Sequence, residues 1–223
     1  MMKLVVLDEN NSSQPFPPLR NALCEPNGLL AIGGCLSSER LINAYRQGVF
    51  PWFSGNEPIL WWSPNPRLVL FPAKLHISKR LAKTLRQKKF DVTTNQAFDL
   101  VISKCAELRV NAEGTWISAD IQRAYSKLHR EGFAHSFEAW HDGELVGGLY
   151  GVALGNVFFG ESMFCTRSDA SKVAFTYCVH YLQSLDFQLI DCQVRSEHLV
   201  GLGAQEISRT DFSRLLKIYC SVD

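Results

Sequence analysis

The sequence lacks the motifs by which most cofactor-dependent and metal-dependent enzymes are recognised. It has neither a P-loop nor a G-x-G-x-x-G segment, the two common glycine-rich loops that hold phosphates. No two of its seven cysteines are separated by only two residues, which excludes a zinc ribbon and a C-x-x-C redox motif. Its six histidines form no pair at metal-ligand spacing. We therefore expect no metal, no cofactor and reduced thiols.

The sequence also lacks a long hydrophobic run and a strong charge of either sign. The opening segment has only a short apolar run before Asp8, unlike a signal peptide. The longest uncharged stretch, Leu145–Gly160, is interrupted by glycine and asparagine and is too short to span a bilayer. The formal net charge of +1 excludes nucleic-acid binding by bulk charge but not by a local basic patch. We expect a soluble, cytoplasmic monomer that does not bind membranes.

The composition divides the 223 residues into two parts. Residues 1–67 hold eight of the nine prolines and three of the five tryptophans, which indicates a small aromatic-rich N-terminal lobe. Within this lobe, Ser37 or Ser38 is a suitable cap for a helix that ends at Gly48. We expect the segment Phe50–Arg67 to be irregular. Residues 68–223 alternate strand and helix patterns and are predicted to form a second domain.

The second domain is predicted to be a mixed α/β fold, of the α+β type. Three strands should form an antiparallel meander, because an Asp142-Gly143 pair and a second turn separate them. A helix and one further strand should follow. This order is typical of acyltransferase-like folds. The predicted strands and helix are His135–His141, Glu144–Ala153, Val157–Phe164, Asp169–Leu185 and Leu189–Val194.

Two surface features suggest contact with nucleic acid. The stretch Arg67–Lys89 contains eight Lys or Arg and no acidic residue, and Lys79, Lys83 and Arg86 share one face of a predicted amphipathic helix. That face is either simply solvated or binds a phosphate backbone. The tryptophans of Phe50–Trp62 and the isolated Trp116 either belong to the core or stack on unpaired bases.

Lone polar residues in apolar strands suggest a reaction centre. Asp191 and Gln193 share one face of the strand LIDCQV, where burial is costly without hydrogen bonds. They are either a structural pair or a carboxylate that accepts a proton or a hydrogen bond, fixed by the neighbouring amide. Glu161 is the only charge in VFFGESMF, and is either part of an ion pair or a polar anchor beside an apolar pocket.

Several long segments together resemble the leucyl/phenylalanyl-tRNA–protein transferase family. The resemblance extends over roughly Glu25 to Ala204. The matching segments are EPNGLLAIGG (Glu25–Gly34), GVFPWF (Gly48–Phe53), ILWWSPNPR (Ile59–Arg67), GTWI (Gly114–Ile117), GGLYGVALGNVFFGESMF (Gly147–Phe164), ASK (Ala170–Lys172) and IDCQV (Ile190–Val194).

The resemblance implies transfer of Leu or Phe, with some tolerance of Met, from aminoacyl-tRNA to proteins that begin with Lys or Arg. In such bacterial pathways the added residue marks the protein for degradation. The family's second domain resembles the GNAT acetyltransferase fold. Matched by motif, Trp52 and Trp116 hold the 3′ adenosine of the tRNA. Phe158, Met163 and Leu149 belong to the pocket for the amino-acid side chain. Glu161, Asp191 and Gln193 form the polar centre.

Two other classes of function remain open from the residues alone. An acyl-CoA-dependent N-acetyltransferase of the GNAT type would share the meander–helix order, although Cys165–Ser168 lacks a glycine-rich pyrophosphate cradle. A non-catalytic RNA-binding module would use the basic helix but leave Asp191 and Gln193 unexplained. In the transferase, we expect Asp191 to orient the attacking amine, Gln193 to fix that carboxylate, and Glu161 to hold the aminoacyl end or the acceptor's cation.

Overall fold

The computed structural model describes residues 4–54, 57–110 and 116–220, which form two β-sheets with flanking helices. The mixed α/β class predicted from the sequence is confirmed. All seven cysteines are unpaired thiols. Among the described helices, none has both the length and the apolar character needed to cross a membrane.

The smaller sheet has four short strands in the order β1-β2-β4-β3. Strands β1 and β2 are parallel, and the other pairs are antiparallel. The four strands are β1 (Val5–Leu7), β2 (Leu29–Gly33), β3 (Phe50–Pro51) and β4 (Leu60–Trp62). The expectation that Phe50–Arg67 is irregular is therefore wrong in part, because β3 and β4 pair within it, with Phe50 opposite Trp62.

Helix α1 (Ser38–Arg46) lies between β2 and β3 and begins as predicted. The Ser37 hydroxyl accepts a hydrogen bond from the Arg40 backbone N–H and so caps the helix. The helix buries Leu41, Ala44 and Tyr45. Because these residues lie three and four positions apart, they form one apolar face.

The larger sheet has seven strands in the order β11-β5-β10-β9-β8-β7-β6. Its strands are β5 (Arg67–Leu70), β6 (Asp91–Thr94), β7 (Ala134–His141), β8 (Glu144–Leu154), β9 (Val157–Cys165), β10 (Leu189–Gln193) and β11 (Gln205–Ile207). The meander of β7, β8 and β9 is confirmed, with positive φ at both Asp142 and Gly143 in its first turn. Within the described residues of this sheet, β9 and β10 are the one parallel pair of neighbours.

Helices cover both faces of the larger sheet. They are α2 (Lys79–Arg86), α3 (Phe98–Val110), α4 (Ala119–Arg130), α5 (Ala170–Ser184), α6 (Glu197–Val200) and α7 (Arg209–Tyr219). Helix α5 belongs to one apolar cluster with Phe158, whereas α3 and α4 belong to another with Phe159. Because adjacent residues of a strand point to opposite faces of the sheet, β9 contributes side chains to both apolar clusters. Helix α5 approaches β8 closely, because an added Cβ at Gly147 would lie 2.7 Å from the Ala170 Cβ.

Candidate active site

A cavity of about 430 Å³, here called the main cavity, opens where β9 and β10 separate. The two strands pair only as far as Phe159 and Asp191. Beyond that point β9 continues beside β8, and β10 continues beside β5 after a register shift between Asp191 and Gln193. The gap between the diverging strands forms the cavity. Its lining includes Gly160 to Cys165 from β9 and Ile190 to Gln193 from β10.

The main cavity is lined by seven of the eight residues that the resemblance assigns to the 3′ adenosine, the side-chain pocket and the polar centre. Trp52 is 45 % exposed and therefore lies at the opening. Trp52 also accepts a hydrogen bond at its backbone oxygen from the Trp62 indole N–H, 2.6 Å away. The seven residues are Trp52, Trp116, Leu149, Glu161, Met163, Asp191 and Gln193.

Phe158 is not among the residues that line the main cavity, so its place in the side-chain pocket stays a prediction. It lies opposite Ile190, where β9 and β10 are still paired, although Ile190 itself lines the cavity. Its buried ring packs edge-on against Phe137, with 6.0 Å between the ring centroids. Phe175 from α5 supplies an aromatic wall instead. The motif around Phe158 could not reveal this, because it does not specify where two neighbouring strands part.

Glu161 is the centre of a buried hydrogen-bond network. Its Oε1 accepts from the Tyr45 hydroxyl at 2.7 Å and from the Gln193 side-chain amide at 2.9 Å. Its Oε2 accepts from the Tyr125 hydroxyl at 3.1 Å, and the two tyrosine hydroxyls contact each other. Burial raises the pKa of Glu161 to about 7, although these hydrogen bonds act in the opposite direction. This carboxyl group can therefore gain or lose a proton near neutral pH.

The two tyrosines remain protonated donors in this network. Burial and the negative charge of Glu161 raise the pKa of Tyr45 and of Tyr125 well above the ordinary value. Sequence reasoning missed both residues. Each occupies an inward position of an amphipathic helix, α1 or α4, where an aromatic residue is expected simply to be core.

Asp191 is held by a buried arginine that sequence reasoning also missed. Arg67 donates from Nε to Oδ1 at 2.8 Å and from Nη2 to Oδ2 at 2.6 Å, a bidentate ion pair in which neither side chain is exposed by more than 1 %. The guanidinium lies between the rings of Phe50 and Phe212, at 4.7 and 4.6 Å from their centroids. Arg67 belongs to the basic stretch in sequence but not to its exposed surface.

Gln193 contacts both carboxylates in a way that differs from the expectation. Its backbone N–H donates to Asp191 Oδ1 at 2.9 Å, but its side-chain amide donates to Glu161. The expectation that the amide side chain fixes Asp191 is therefore wrong. Gln193 has a φ of 63°, in the left-handed region, at the point where β10 shifts register. This local departure from strand geometry breaks the simple alternation on which the expectation rested.

Unpartnered polar groups and one inert thiol complete the main cavity. The buried Ser162 hydroxyl and the His198 Nε2 have no hydrogen-bond partner among the described residues, so both are available to a ligand. Burial raises the pKa of the Cys192 thiol, so this group stays protonated and is a poor nucleophile.

The three basic residues predicted to contact RNA lie elsewhere. Lys79, Lys83 and Arg86 are exposed on α2, while Leu81 of the same helix is buried. This confirms the amphipathic arrangement of the helix. Among the described residues, none of these three basic side chains forms an ion pair.

The raised pKa of Glu161 predicts a pH-dependent stability. The folded chain holds this proton more tightly than the unfolded chain, whose ordinary pKa is 4.5. As pH rises from 4.5 to about 7, the free energy of unfolding should fall by about 3 kcal/mol because of this group. Urea unfolding across this range should show a smaller fall for Glu161→Gln than for the unsubstituted protein. Identical pH profiles would contradict the assignment.

Comparison with known proteins identifies the chain as an aminoacyltransferase. A model of leucyl/phenylalanyl-tRNA protein transferase matches residues 69–217, and a model of its N-terminal domain matches residues 34–65. The leucyl/phenylalanyl-tRNA–protein transferase of Methylococcus capsulatus is 56 % identical over 216 residues, covering 97 % of this chain and 92 % of that protein. That of Pseudomonas fluorescens strain SBW25 is 58 % identical over 205 residues, covering 92 % and 91 %. The chain belongs to the leucyl/phenylalanyl-tRNA–protein transferase family.

Solved structures similar to this chain include acetyltransferases. An aminoglycoside acetyltransferase from an uncultured soil metagenomic sample has a TM-score of 0.41 and 14 % identity, covering 59 % of this chain and 89 % of that chain. A GCN5-related N-acetyltransferase from Kribbella flavida has a TM-score of 0.40 and 11 % identity, covering 72 % and 57 %. At these scores the likeness carries no argument about activity.

Proposed function

We propose that this enzyme transfers leucine or phenylalanine, with some tolerance of methionine, from aminoacyl-tRNA to an N-terminal Lys or Arg of acceptor proteins. The observation that carries the proposal is the main cavity, in which an apolar wall, a buried carboxyl group and two tryptophans converge. We further propose that the enzyme acts as a cytoplasmic monomer and marks its acceptors for degradation. Its seven unpaired thiols suit a reducing compartment.

The main cavity offers a separate place to each part of an aminoacyl ester. Leu149, Met163 and Phe175 provide apolar surface for the side chain of the amino acid. Trp52 and Trp116 provide aromatic faces for the terminal adenine, and base stacking on such a face contributes about 1–3 kcal/mol. The exposed basic face of α2 is proposed to bind phosphates of the same RNA.

The chemistry requires little beyond placement of the two substrates. The acceptor amine attacks the ester carbonyl, the new C–N bond forms, and the C–O bond to the terminal ribose breaks. The proton lost by the amine ends on the departing ribose oxygen. The aminoacyl ester is already activated, and an α-amino group with a pKa near 8 is partly neutral at pH 7. Alignment of the two groups can therefore supply much of the rate.

We propose that Glu161 relays this proton. With a pKa of about 7, its carboxyl group is matched to an amine that titrates about one unit higher. The hydroxyls of Tyr45 and Tyr125 and the amide of Gln193 hold the carboxylate in place. A ribose hydroxyl of the tRNA is the alternative shuttle.

Asp191 is proposed to act through Gln193 as a positioning residue. Arg67 occupies both of its carboxylate oxygens, so proton transfer to Asp191 would weaken a buried ion pair. The hydrogen bond from the Gln193 backbone N–H to Asp191 supports the left-handed turn at Gln193. That turn brings the Gln193 amide to Glu161.

Incubation with radiolabelled leucyl-tRNA and peptides that differ only in their first residue tests the proposed function. We expect label on peptides that begin with Lys or Arg and much less on those that begin with Ala or Asp. No transfer to any peptide would refute the proposal. Acetylation of the same peptides from acetyl-CoA without RNA would favour the acetyltransferase alternative instead.

Trp52→Ala should weaken use of the charged tRNA. Loss of one stacking face should raise KM for leucyl-tRNA by about 5-fold to 150-fold, the equivalent of about 1–3 kcal/mol. Trp52→Phe keeps an aromatic face and should recover most of the loss. Steady-state transfer assays at varied leucyl-tRNA measure both values. An unchanged KM in the alanine variant would exclude stacking at this residue.

A further inference from the structure

A second cavity of about 270 Å³ lies between α2, β6 and α5 and shares no lining residue with the main cavity. It is somewhat smaller than the roughly 300–1,000 Å³ pockets that enclose drug-sized ligands, and so suits a single ring system. Apolar and aromatic groups form most of its wall, and lysines and a histidine lie at its margin. The lining residues are Thr84, Leu85, Lys88, Lys89, Phe90, Val92, Val173, Thr176, Tyr177 and His180.

One buried polar group in the wall of this second cavity is unsatisfied. Thr176 is only 1 % exposed, and its hydroxyl has no hydrogen-bond partner in the described part of the chain. Leaving such a group unpaired costs about 1–3 kcal/mol. A ligand with a donor or acceptor at its edge would remove that cost. Tyr177, 39 % exposed, adds a partly open aromatic face beside it.

The charge at the margin of the second cavity selects an anionic ligand. Lys88 and Lys89 are exposed, and neither forms an ion pair with a described residue. They directly follow α2, whose exposed face carries Lys79, Lys83 and Arg86. Asp169 forms ion pairs with Arg80 of α2 and with Lys172 of α5. Asp169 also accepts a hydrogen bond from Thr84 of the cavity wall, and Asp91 is exposed between the lining residues Phe90 and Val92. Lys88 and Lys89 outnumber Asp91 at the margin, so the charge there is positive on balance.

We propose that the second cavity binds one unpaired nucleobase of the RNA substrate, at a nucleotide distant from the 3′ end. The base would pack between the apolar wall and Tyr177, its edge would bond to the Thr176 hydroxyl, and Lys88 and Lys89 would contact the flanking phosphates. A nucleotide combines the three required properties, a flat apolar ring, polar edge atoms and adjacent negative charge. The inference rests on aminoacyl-tRNA being the substrate.

Base-specific chemical modification of leucyl-specific tRNA, free and bound to the enzyme, tests this site. The unsubstituted enzyme should protect the 3′ adenosine and one further unpaired base. Thr176→Val, which keeps the side-chain shape, and the Lys88→Ala/Lys89→Ala double variant should lose only the second protection. The double variant should also weaken tRNA binding about 10-fold or more and lower the salt dependence of binding by about two phosphate contacts.

A matched surface variant separates this site from a general effect of charge. Lys127→Ala removes an exposed lysine of α4, where it pairs with Glu131, and should change neither the protections nor the salt dependence. Protection of the 3′ adenosine without any second protected base would overturn the inference alone. Absence of both protections would overturn the proposed function together with it. A second protection that persists in both cavity variants would also contradict the inference.

Discussion

Arg67→Met should lower the free energy of unfolding by about 3–5 kcal/mol, because it leaves the Asp191 carboxylate buried without its partner. The arginine also fills the space between two aromatic rings and donates to the Gly48 carbonyl oxygen at 3.2 Å. Urea unfolding at neutral pH measures the change. As a control, Arg123→Met breaks an ion pair with Asp120 in which both side chains are about 70 % exposed, and should cost less than about 1 kcal/mol.

The double variant Arg67→Met/Asp191→Leu separates stability from catalysis. Removing both charges should recover most of the lost stability, since a buried ion pair and an apolar pair of similar volume are often close in free energy. Transfer of leucine should stay low, because the Gln193 backbone N–H loses its acceptor. A double variant with full transfer activity would refute the positioning role of Asp191. A single variant as stable as the unsubstituted protein would contradict the buried pair itself.

Glu161→Gln should lower the rate of leucine transfer by about 10²–10⁴-fold, the usual loss when a proton-transferring group is removed. The amide keeps the shape of the side chain, and its oxygen can accept from Tyr45 while its NH2 group can donate to the Tyr125 hydroxyl oxygen in place of the second carboxylate oxygen. Binding of tRNA should therefore remain near its original strength. Single-turnover transfer from pre-bound leucyl-tRNA measures the chemical step without the binding step.

A second buried glutamate provides the matched control for this variant. Glu138 of β7 is buried even more deeply than Glu161, but it accepts from Ser136 and Thr93 and lies outside the main cavity. Glu138→Gln should leave single-turnover transfer within about twofold. The dependence of the transfer rate on pH gives a second measurement. The change in rate near pH 7 should disappear in Glu161→Gln and persist in Glu138→Gln. Equal rates for Glu161→Gln and the unsubstituted enzyme would exclude the proton relay.

Much of the larger sheet could be predicted from the sequence because the meander strands β7, β8 and β9 are long and separated by clear turns. The Asp142-Gly143 turn sets the register of β7 against β8. The edge strands β6 and β11 escaped prediction, because DVTT and QEI are short and partly polar and depend on pairing with a neighbour. Strands β3 and β4 escaped for a similar reason, since each is very short and lies among prolines.

The candidate site could be predicted only where a residue contrasts with its neighbours in sequence. Glu161 and Asp191 are single acids in apolar strands, so the residues themselves indicate both positions. Tyr45 and Tyr125 reach Glu161 across 116 and 36 positions of sequence, and no local pattern encodes such a contact. The sequence places Arg67 in the basic stretch and does not show that Asp191, 124 positions away, binds its guanidinium.

Misacylated tRNA tests the central claim that the main cavity binds the side chain of the transferred amino acid. One tRNA body charged with either leucine or alanine leaves every contact to the RNA the same. Leucine has three more carbons than alanine, and about 0.8 kcal/mol for each buried carbon predicts at least a 50-fold preference in kcat/KM for leucine. Equal kcat/KM values for the two amino acids would contradict the claim that the main cavity binds the side chain of the transferred amino acid.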